Sequence, residues 1–534
     1  MGAGSTFRLL PMGESALLIE LAGIAEVLAL EAALRARVAS PLTRASGSSQ
    51  VGWAGITDIV PAARTLLLIT EPGVDLDALR RAVSALAAQL AAQPVGVDPS
   101  RRCDSEVEIP VVYDGPDLDV VARATGLSTQ QVIAAHTESL WRVGFGGFAP
   151  GFAYLVGGDP RLVVARQATP RTRVPSGSVG LAGEFSGIYP RESPGGWQLI
   201  GVTDAALWDA DRDPPALLSP GTAVRFVATS PRRATVHHAR PVERATPVGR
   251  GLEVIATGPL TLVEDLGRVG FAAVGVGRAG AADRSAHRLG ARLVGNDPGS
   301  AALEVTLGGL QVRSLGSLWV VLTGAAAPAT VDRRPVPHAA PFALRPGQVL
   351  ALGMPLSGLR TYVTVRGGVD LPRTLASEST DTMAGLGPAP LAPGDFVPVG
   401  RPDGEFPSVD LAPVPEPVAG LMTLGIAPGP RHDWFARPQD LAETAWVVAA
   451  RSDRVGVRLE GTGLARHPAE LNAELASEGM VRGAVQVPPN GQPVILLSDH
   501  PVTGGYPVIG VVPEADVDRA AQVRPGQPVR FRWV

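Results

Sequence analysis

The chain has 534 residues, of which 45% are hydrophobic and 18% charged, and its formal net charge is −4. This composition is typical of a globular protein with material for several domains, and it excludes a disordered chain. Since the balance of charge is slightly acidic, there is no overall basic field to attract nucleic acid or an anionic membrane, and we expect neither partner.

Two residue types narrow the possible chemistry further. The sequence contains no lysine, so all 47 basic residues are arginine. It therefore lacks a Walker lysine, a Schiff-base lysine and a lysine that could carry biotin, and we expect another polypeptide to supply ATP or biotin chemistry. The single cysteine, Cys103, excludes an intramolecular disulfide, and neither it nor the spacing of histidines such as His237-His238 predicts a metal site.

The first residues and the longest uncharged stretch both bear on where in the cell the protein is found. The start, MGAGSTFRLLPMGESALLIEL, has no charged region followed by an apolar run, so no secretory signal is expected. The stretch 314–331 is short and interrupted by Pro328, which favours a buried strand over a membrane span. We expect a soluble, cytoplasmic protein.

Residues 1–100 alternate between strand-like and helix-like segments. The apolar runs Ser15–Leu21 and Arg64–Thr70 predict covered strands, and AEVLALEAALRARVA and LDALRRAVSALAAQLAA have helical spacing. This alternation predicts a small α+β domain. The segment QPVGVDPSRRCD is a plausible linker to the next domain.

Residues 105–228 change from one short strand and a helix to a series of strands. Glu108–Tyr113 predicts the strand, and Ser128 with Gln131 predicts a capping box that opens a helix through about Leu140. From residue 143 to 226, short apolar runs lie between Gly/Pro turns, which is typical of an antiparallel barrel or sandwich. Residues 229–250 predict a second linker.

Strands dominate residues 251–534 as well. One helix is clear, because Asp283 provides an N-cap and the helical pattern closes at Gly295-Asn296. The Pro-rich segment 401–420 predicts an exposed connection between two sub-barrels.

An internal repeat links the two parts of the chain. GGWQLIGV at 195–202 is matched by GGYPVIGV at 504–511, and SPGTAVRF is matched by RPGQPVRF. VPSGSV and VPPNGQPV form a third pair in the same order along the chain. Chance similarity in a Gly/Pro-rich chain is the alternative, but the pattern favours two related β-barrels. We expect residues 105–228 to superpose on a barrel at about 480–534.

The motifs around this repeat resemble a known pair of families. GFAPGFAYL, TPRTRVPSGSVGLAG and YPRESPGGWQLIGVT resemble allophanate hydrolase subunit 1, and LVEDLGRVGF with AGAADRSAHRLGARLVGNDPGSAALEVT resembles subunit 2. The resemblance covers nearly the whole chain, as a fusion of both subunits. It implies an α+β, mostly β fold, in which a small N-terminal α/β domain is followed by cyclophilin-like β-barrels in tandem.

The resemblance implies an activity and leaves two alternatives open. The same pair of families includes the B and C subunits of ATP-dependent 5-oxoprolinase, which opens the lactam 5-oxoproline to L-glutamate with a separate A subunit that would bind the ATP. One alternative is a biotin-dependent carboxyltransferase of the urea amidolyase type that acts on an amide. The other is a regulatory protein that binds and inhibits a histidine kinase. Self-association is plausible in a strand-rich protein.

Candidate substrate-binding residues in the first half centre on two arginines. Arg171 and Arg173 alternate in a proline-framed loop, and arginine forks bind carboxylates or phosphates in two-pronged fashion. We expect both to point into one pocket lined by residues 177–183 and Tyr189, with Ser178 and Gly151 as further contacts. The alternative is a pair of surface arginines beside acidic partners.

In the second half, three aspartates are candidate acid/base residues. Asp499 precedes the repeated Gly-Gly motif, and Asp265 and Asp283 lie on either side of a glycine-rich segment. A purely structural N-cap role for Asp283 is at least as plausible. The further predicted substrate contacts of this half are Arg268, Glu304 and Tyr506.

Overall fold

The computed structural model describes residues 7–39, 53–92, 106–230, 249–471 and 473–534. Cys103, His237-His238, the first predicted linker and most of the second lie outside these residues. The predicted domain boundaries fall in or beside these gaps and stay predictions. None of the helices in the described ranges combines the length and apolarity required to cross a bilayer.

The N-terminal residues form a four-stranded antiparallel sheet with strand order β1-β2-β4-β3 and two helices. The elements are β1 Arg8–Pro11, β2 Ala16–Glu20, α1 Ile24–Ala39, β3 Ile56–Pro61, β4 Thr65–Thr70 and α2 Leu76–Ala92. Leu66 and Leu68 pack against the helices, whereas Leu67 faces the other side of the sheet. Both faces are therefore covered, which explains why these strands are continuously apolar.

The next sheet has seven strands in the order β12-β9-β10-β7-β6-β13-β5, and β8 pairs with β11 beside it. The elements are β5 Glu106–Val111, α3 Leu118–Thr125, α4 Thr129–Glu138, β6 Trp141–Gly146, β7 Ala153–Val156, β8 Arg171–Val174, β9 Ser178–Ala182, β10 Phe185–Ile188, β11 Ser193–Gly195, β12 Gln198–Val202 and β13 Ala223–Ala228. Val112 and Val202 exchange two backbone hydrogen bonds of 2.8 and 2.9 Å, which join the two edges into a barrel. The predicted Ser128 capping box is confirmed.

Residues 251–399 form two sheets that pack face to face around a single apolar core. One sheet has the order β20-β19-β22-β17-β14-β24 and the other has the order β15-β16-β23-β18-β21. The elements are β14 Gly251–Thr257, β15 Leu260–Glu264, α5 Arg284–Leu293, β16 Ala302–Thr306, β17 Leu310–Ser314, β18 Leu318–Gly324, β19 Ala329–Val331, β20 Arg334–Pro335, β21 Phe342–Leu344, β22 Val349–Leu352, β23 Arg360–Val365 and β24 Phe396–Pro398. Helix α5 packs on β18 and β23, and its predicted Asp283 N-cap is confirmed by a 2.9 Å hydrogen bond from the Ala286 amide.

The C-terminal residues form a closed seven-stranded barrel with the order β25-β32-β29-β30-β27-β26-β33, and β28 pairs with β31 beside it. The elements are β25 Met422–Pro428, α6 Asp440–Glu443, β26 Trp446–Val448, β27 Gly456–Glu460, β28 Glu478–Gly479, β29 Ala484–Gln486, β30 Val494–Leu496, β31 Thr503–Gly504, β32 Val508–Val511, α7 Glu514–Ala520 and β33 Pro528–Trp533. The Pro-rich segment before β25 is mostly exposed, as predicted.

The two barrels share one topology. The order β12-β9-β10-β7-β6-β13-β5 corresponds strand for strand to β32-β29-β30-β27-β26-β33-β25, and in both barrels the first strand pairs in parallel with the last. Both Gly-Gly motifs lie on strands at equivalent positions, β11–β12 and β31–β32. The α+β, mostly β fold with barrels in tandem is therefore confirmed, and the repeated motifs mark a repeated module.

Two details of the predicted repeat are wrong. The second barrel begins at Met422, well before residue 480. The prediction missed this part because the first five elements, from β25 to β28, contain none of the repeated motifs. VPSG precedes β9, whereas VPPNG follows β29, so these segments are not equivalent. The counterpart of Gly177 is Gly483, since their carbonyls accept matching hydrogen bonds from the amides of Thr203 (2.9 Å) and Val512 (2.8 Å).

Candidate functional site

The N-terminal sheet packs on the second barrel, and Ala63 between β3 and β4 also joins an apolar cluster of the first barrel. Leu18 and Leu67 share an apolar cluster with Met480, Val502 and Val511. Asp58 continues this interface, because its carboxylate accepts hydrogen bonds of 3.1 Å from the amides of Gly270 and Ala272. The first and last parts of the chain are thereby held against each other.

A cavity of about 380 Å³ lies at this contact. Its walls come from the N-terminal sheet, from the segment before α5 and α5 itself, and from the second barrel. The charged and polar side chains in the walls include Glu14, Ser15, Thr57, Asp58, Arg268, Arg278, Arg284, Arg288, Arg482, Ser498, His500 and Glu514. Five arginines against three carboxylates give these walls an excess of positive charge.

The electrostatics of the arginines reflect their crowding. Arg284 pairs with Glu514 at 3.2 Å, and Arg482 pairs with Asp518 at 2.6 Å. Burial, together with the nearby charges of Arg482 and Arg278, lowers the pKa of Arg284 to about 9. The cavity therefore contains cations that are poorly solvated and mutually repelled, and such a set is stabilised by a bound anion.

His500 contributes a neutral ring to the same wall. Burial lowers the pKa of His500 to about 4, and its Nδ1–H donates to the carbonyl of Pro501 at 2.9 Å. The imidazole is consequently uncharged at neutral pH and adds no positive charge to the arginines around it.

A buried cluster of acids around Arg454 lies directly behind the cavity. The guanidinium of Arg454 binds both carboxylate oxygens of Asp499, at 3.0 and 3.1 Å. It also binds Glu304 and lies 3.2 Å from Glu264. Since Ser498 and His500 line the cavity on either side of Asp499, this cluster fixes the backbone of that wall.

The pKa values of two acids in this cluster are shifted in opposite directions. Burial and the neighbouring carboxylates raise the pKa of Glu264 well above its usual value, although Arg454 acts in the opposite direction. Burial opposes ionisation of Glu304 too, but Arg454 and Arg360 outweigh it and hold the pKa of Glu304 at about 2. Glu304 also accepts a 2.7 Å hydrogen bond from the Tyr362 hydroxyl, which in turn accepts one of 2.8 Å from the Asp283 amide.

The structure places the predicted second-half residues near one another, with one exception. Asp265 accepts hydrogen bonds from the Gly267 and Glu378 amides and from the hydroxyls of Ser377 and Ser379. Arg268 lines the cavity and also donates to the carbonyls of Thr374 and Ser379. Asp283 caps α5, and Asp499 and Glu304 belong to the cluster around Arg454. Tyr506 is the exception, because 47% of it is exposed on the surface.

The predicted first-half residues lie elsewhere, and the prediction that both arginines share one pocket is wrong. Arg171 pairs with Asp117 at 2.7 Å, whereas Arg173 is exposed and pairs with Glu192 at 2.6 Å. The small pocket beside Tyr189 is lined by neither arginine. Alternation along β8 points both side chains away from the barrel interior, but each meets a different acid there.

The remaining first-half candidates also have packing partners. Ser178 donates to the Pro175 carbonyl at 2.8 Å, and Tyr189 is buried, which raises its pKa to about 12. Gly151 has a φ of +76° and donates its amide to the Val274 carbonyl at 3.0 Å, so it contacts the second half. None of these residues is among the described residues that line the cavity.

Sequence reasoning missed the arginines that give the cavity its character. Arg278, Arg284, Arg288 and Arg482 were not candidates, although one signal was available. Helix α5 carries Arg284 and Arg288 four residues apart and has no acid in its sequence, RSAHRLGARL, to pair with them. Arg454 gave no such signal, since nothing near it in sequence indicates three distant acids.

Within the part of the chain that the structure describes, no group of three His, Cys, Asp or Glu side chains is arranged to hold a metal ion.

Comparisons with known proteins agree on one family. Residues 7–218 match the model of the carboxyltransferase domain, subdomain C and D, and residues 274–533 match the carboxyltransferase domain, subdomain A and B. The chain is 38% identical over 285 residues to the C subunit of 5-oxoprolinase from Escherichia coli K12, covering 52% of this chain and 90% of that protein. It is 52% identical over 124 residues to the B subunit of 5-oxoprolinase from Escherichia coli O157:H7, covering 23% of this chain and 57% of that protein.

A solved structure resembles the whole chain. The crystal structure of the protein TTHA0988 superposes with a TM-score of 0.81 at 32% identity, covering 99% of this chain and all of that one. The relation therefore extends over both halves and the way in which they are joined.

Proposed function

This chain belongs to the carboxyltransferase-domain family that contains the B and C subunits of 5-oxoprolinase, and from this premise we propose that it is the fused B and C component of an ATP-dependent 5-oxoprolinase. With a separate A subunit, this enzyme opens the lactam 5-oxoproline to L-glutamate. ATP enters through the A subunit, because the chain has no lysine for a Walker motif.

The observation that carries the proposal is the cavity between the N-terminal sheet and the second barrel. Its walls come from residues 12–73, within the match to subdomain C and D at 7–218, and from residues 268–514, which lie almost entirely within the match to subdomain A and B at 274–533. A site shared in this way requires both halves, which explains why the two are found as one chain here and as two subunits of one enzyme in relatives.

The chemistry of the reaction suits such a site. A lactam amide is unreactive, and phosphorylation of its oxygen would weaken the ring C–N bond toward attack by water. The chain's own contribution is to bind and orient the substrate, since positioning accounts for a large part of the barrier in such reactions. Asp499 is held by Arg454 and Thr382, so we assign it the positioning of Ser498 and His500 rather than proton transfer.

The domain name of the matching models favours carboxyl transfer as a second candidate function. In that case the chain would move a carboxyl group from a biotin carried on another protein to an amide. The positively charged cavity is less suited to urea, which is neutral, than to 5-oxoproline, which carries a carboxylate.

Reconstitution tests the proposal. The chain is mixed with the A subunit encoded in the same organism, ATP and 5-oxoproline, and L-glutamate and ADP are measured together. We expect glutamate and ADP in equal amounts from the full mixture and no glutamate when any component is left out. Lactam opening by the chain alone without ATP contradicts the proposal, as does a full mixture that is inactive on 5-oxoproline but carboxylates an amide when supplied with carboxybiotin.

A further inference from the structure

We infer that the cavity holds the carboxylate of a small monocarboxylic acid against Arg278 and Arg288. The inference rests on the proposed function only for the identity of that acid as 5-oxoproline. The binding site itself is argued from the arginines of the cavity and the walls around them.

Four of the five arginines of the cavity fall into two pairs, and the fifth, Arg268, is engaged with the carbonyls of Thr374 and Ser379. Arg284 and Arg482 have acidic partners at 3.2 and 2.6 Å. Arg278 donates its Nε–H to the Leu266 carbonyl at 3.0 Å, but within the described ranges neither Arg278 nor Arg288 has a carboxylate within 4.0 Å. Two guanidinium groups in the cavity wall are therefore available to a carboxylate.

These two cations interact with each other. Burial lowers the pKa of Arg278, and the charges of Arg288 and Arg482 act in the same direction, against the opposite effects of Glu514 and Asp58. A carboxylate between Arg278 and Arg288 would offset this repulsion and form charge-assisted hydrogen bonds, which are the stronger class.

The size and the apolar walls of the cavity select the kind of anion. About 380 Å³ falls within the usual range for small organic ligands, roughly 300–1,000 Å³, and far exceeds the space that a single ion needs. Val60, Ile69, Val502 and Val511 provide apolar surface in the same walls. An acid with a small hydrocarbon ring fits both features better than inorganic phosphate does.

The acidic side chains of the cavity limit the charge of its ligand. Glu14 and Asp58 face it from the N-terminal sheet and Glu514 faces it from α7. Burial raises the pKa of Asp58 despite its two backbone hydrogen bonds. The part of the cavity next to Asp58 therefore offers little stabilisation to a second negative charge. We therefore expect a single carboxylate to bind better than a dicarboxylate such as glutamate, which favours release of the product.

Calorimetric titration of the full chain, without the A subunit or ATP, tests the inference. The ligands are 5-oxoproline, 2-pyrrolidinone, which is the same ring without the carboxylate, and glutamate. We expect 5-oxoproline to bind at least about tenfold more tightly than either of the others, as the loss of a charge-assisted hydrogen bond implies. Arg278→Gln and Arg288→Gln should each weaken 5-oxoproline binding by a similar factor, and Arg288→Lys should retain part of it.

Arg292→Gln is the matched control, because Arg292 lies one turn further along α5, is exposed and does not line the cavity. It should bind 5-oxoproline as the wild type does, and thermal melting checks that all variants are folded. Equal binding of 5-oxoproline and 2-pyrrolidinone overturns the inference, as do wild-type affinity in both folded Gln variants and failure of the wild type to bind any of several monocarboxylates at millimolar concentration.

The outcomes separate this inference from the proposed function. If the chain binds another monocarboxylate through Arg278 and Arg288 but not 5-oxoproline, the carboxylate site stands and the proposed substrate is wrong. If 5-oxoproline binds as expected and the reconstituted mixture still releases no glutamate, only the proposed function fails.

Discussion

Arg454 joins acids from three separate parts of the second half. Glu264 ends β15, Glu304 lies in β16, and Asp499 follows β30. Three carboxylates around one guanidinium place excess negative charge in the interior, and this charge, with burial, raises the pKa of Glu264. The cluster therefore depends on Arg454, because that side chain is the shared cationic partner of all three acids.

Asp283 gives a residue-scale prediction about pH. Burial, followed by the like charge of Asp518, raises its pKa from 3.8 to about 6. Because the folded pKa is the higher one, this group favours folding below about pH 4, and the contribution is lost as the pH rises through about 6. Asp283→Asn keeps an acceptor for the Ala286 amide but removes the titration.

We expect wild type to gain about 1–2 kcal/mol of stability relative to Asp283→Asn between about pH 7.5 and pH 5. Urea unfolding at the two pH values measures this difference. A constant difference between the two proteins across that range would show that Asp283 ionises in the folded state as it does in the unfolded chain.

At the scale of elements, the two barrels keep the same ion pair with its charges exchanged. The amide of Asp117 donates to Leu199 at 2.9 Å, and the amide of Arg431 donates to Val508 at 3.1 Å, so the two residues are equivalent. Asp117 pairs with Arg171 on β8, and Arg431 pairs with Glu478 on β28. In both barrels the ion pair joins the segment after the first strand to the two-stranded ladder beside the barrel, β8–β11 or β28–β31. The two barrels differ in which of the two positions carries the positive charge.

Matched glycines in the two barrels provide an element-scale prediction. Gly177 and Gly483 have φ of +80° and +88°, and a Cβ there would lie 2.2 and 2.5 Å from the carbonyl oxygens of Thr203 and Val512. Gly221 and Gly526 also have positive φ, but a Cβ would meet nothing within 4 Å. The first pair therefore combines backbone strain with a steric clash, whereas the second pair has the strain alone.

Alanine at Gly221 or Gly526 should lower the free energy of unfolding by about 1–2 kcal/mol, and alanine at Gly177 or Gly483 should lower it by more than about 2 kcal/mol. Denaturant unfolding of the four variants tests both the ranking and the equivalence of the barrels. If Gly177→Ala and Gly483→Ala fall in different classes, the structural correspondence between the two turns does not extend to their energetics.

At the scale of the whole molecule, Arg431 connects the N-terminal sheet to the second barrel. It binds Glu20 of β2 at 2.6 Å and also binds Glu478, and its side chain is only 6% exposed. Both acids increase its pKa beyond that of an ordinary arginine, although burial alone would lower it. The contact fixes the orientation of the sheet that forms one wall of the cavity.

Arg431→Gln should destabilise the protein by about 3–5 kcal/mol, because it leaves Glu478 buried without its cation and close to Glu20. Thermal melting and denaturant unfolding measure the loss. Arg437→Gln is the control, since Arg437 is 63% exposed and its ion pairs with Asp440 and Glu443 should contribute less than about 1 kcal/mol. Equal effects of the two substitutions would contradict a role for Arg431 in joining the halves.

Local patterns in the sequence were sufficient to predict many of the helix caps and strands. The capping box at Ser128, the N-cap at Asp283 and the apolar runs of β2 and β4 each depend on neighbours within a few residues, so they could be predicted. The surroundings of Arg171 and Arg173 could not be predicted in this way. The acids that pair with them, at residues 117 and 192, lie in different loops of the chain.

The sequence by itself determined the strand-rich fold and the duplication of the barrel, since these follow from periodicity and repeated motifs. Only the tertiary structure decided where the candidate site lies. Its walls combine residues 12–73 with residues 268–514. Its arginines differ in whether a carboxylate lies close enough in space to pair with them. Pairing between charges depends on distances across the fold, and no local pattern in the chain encodes those distances.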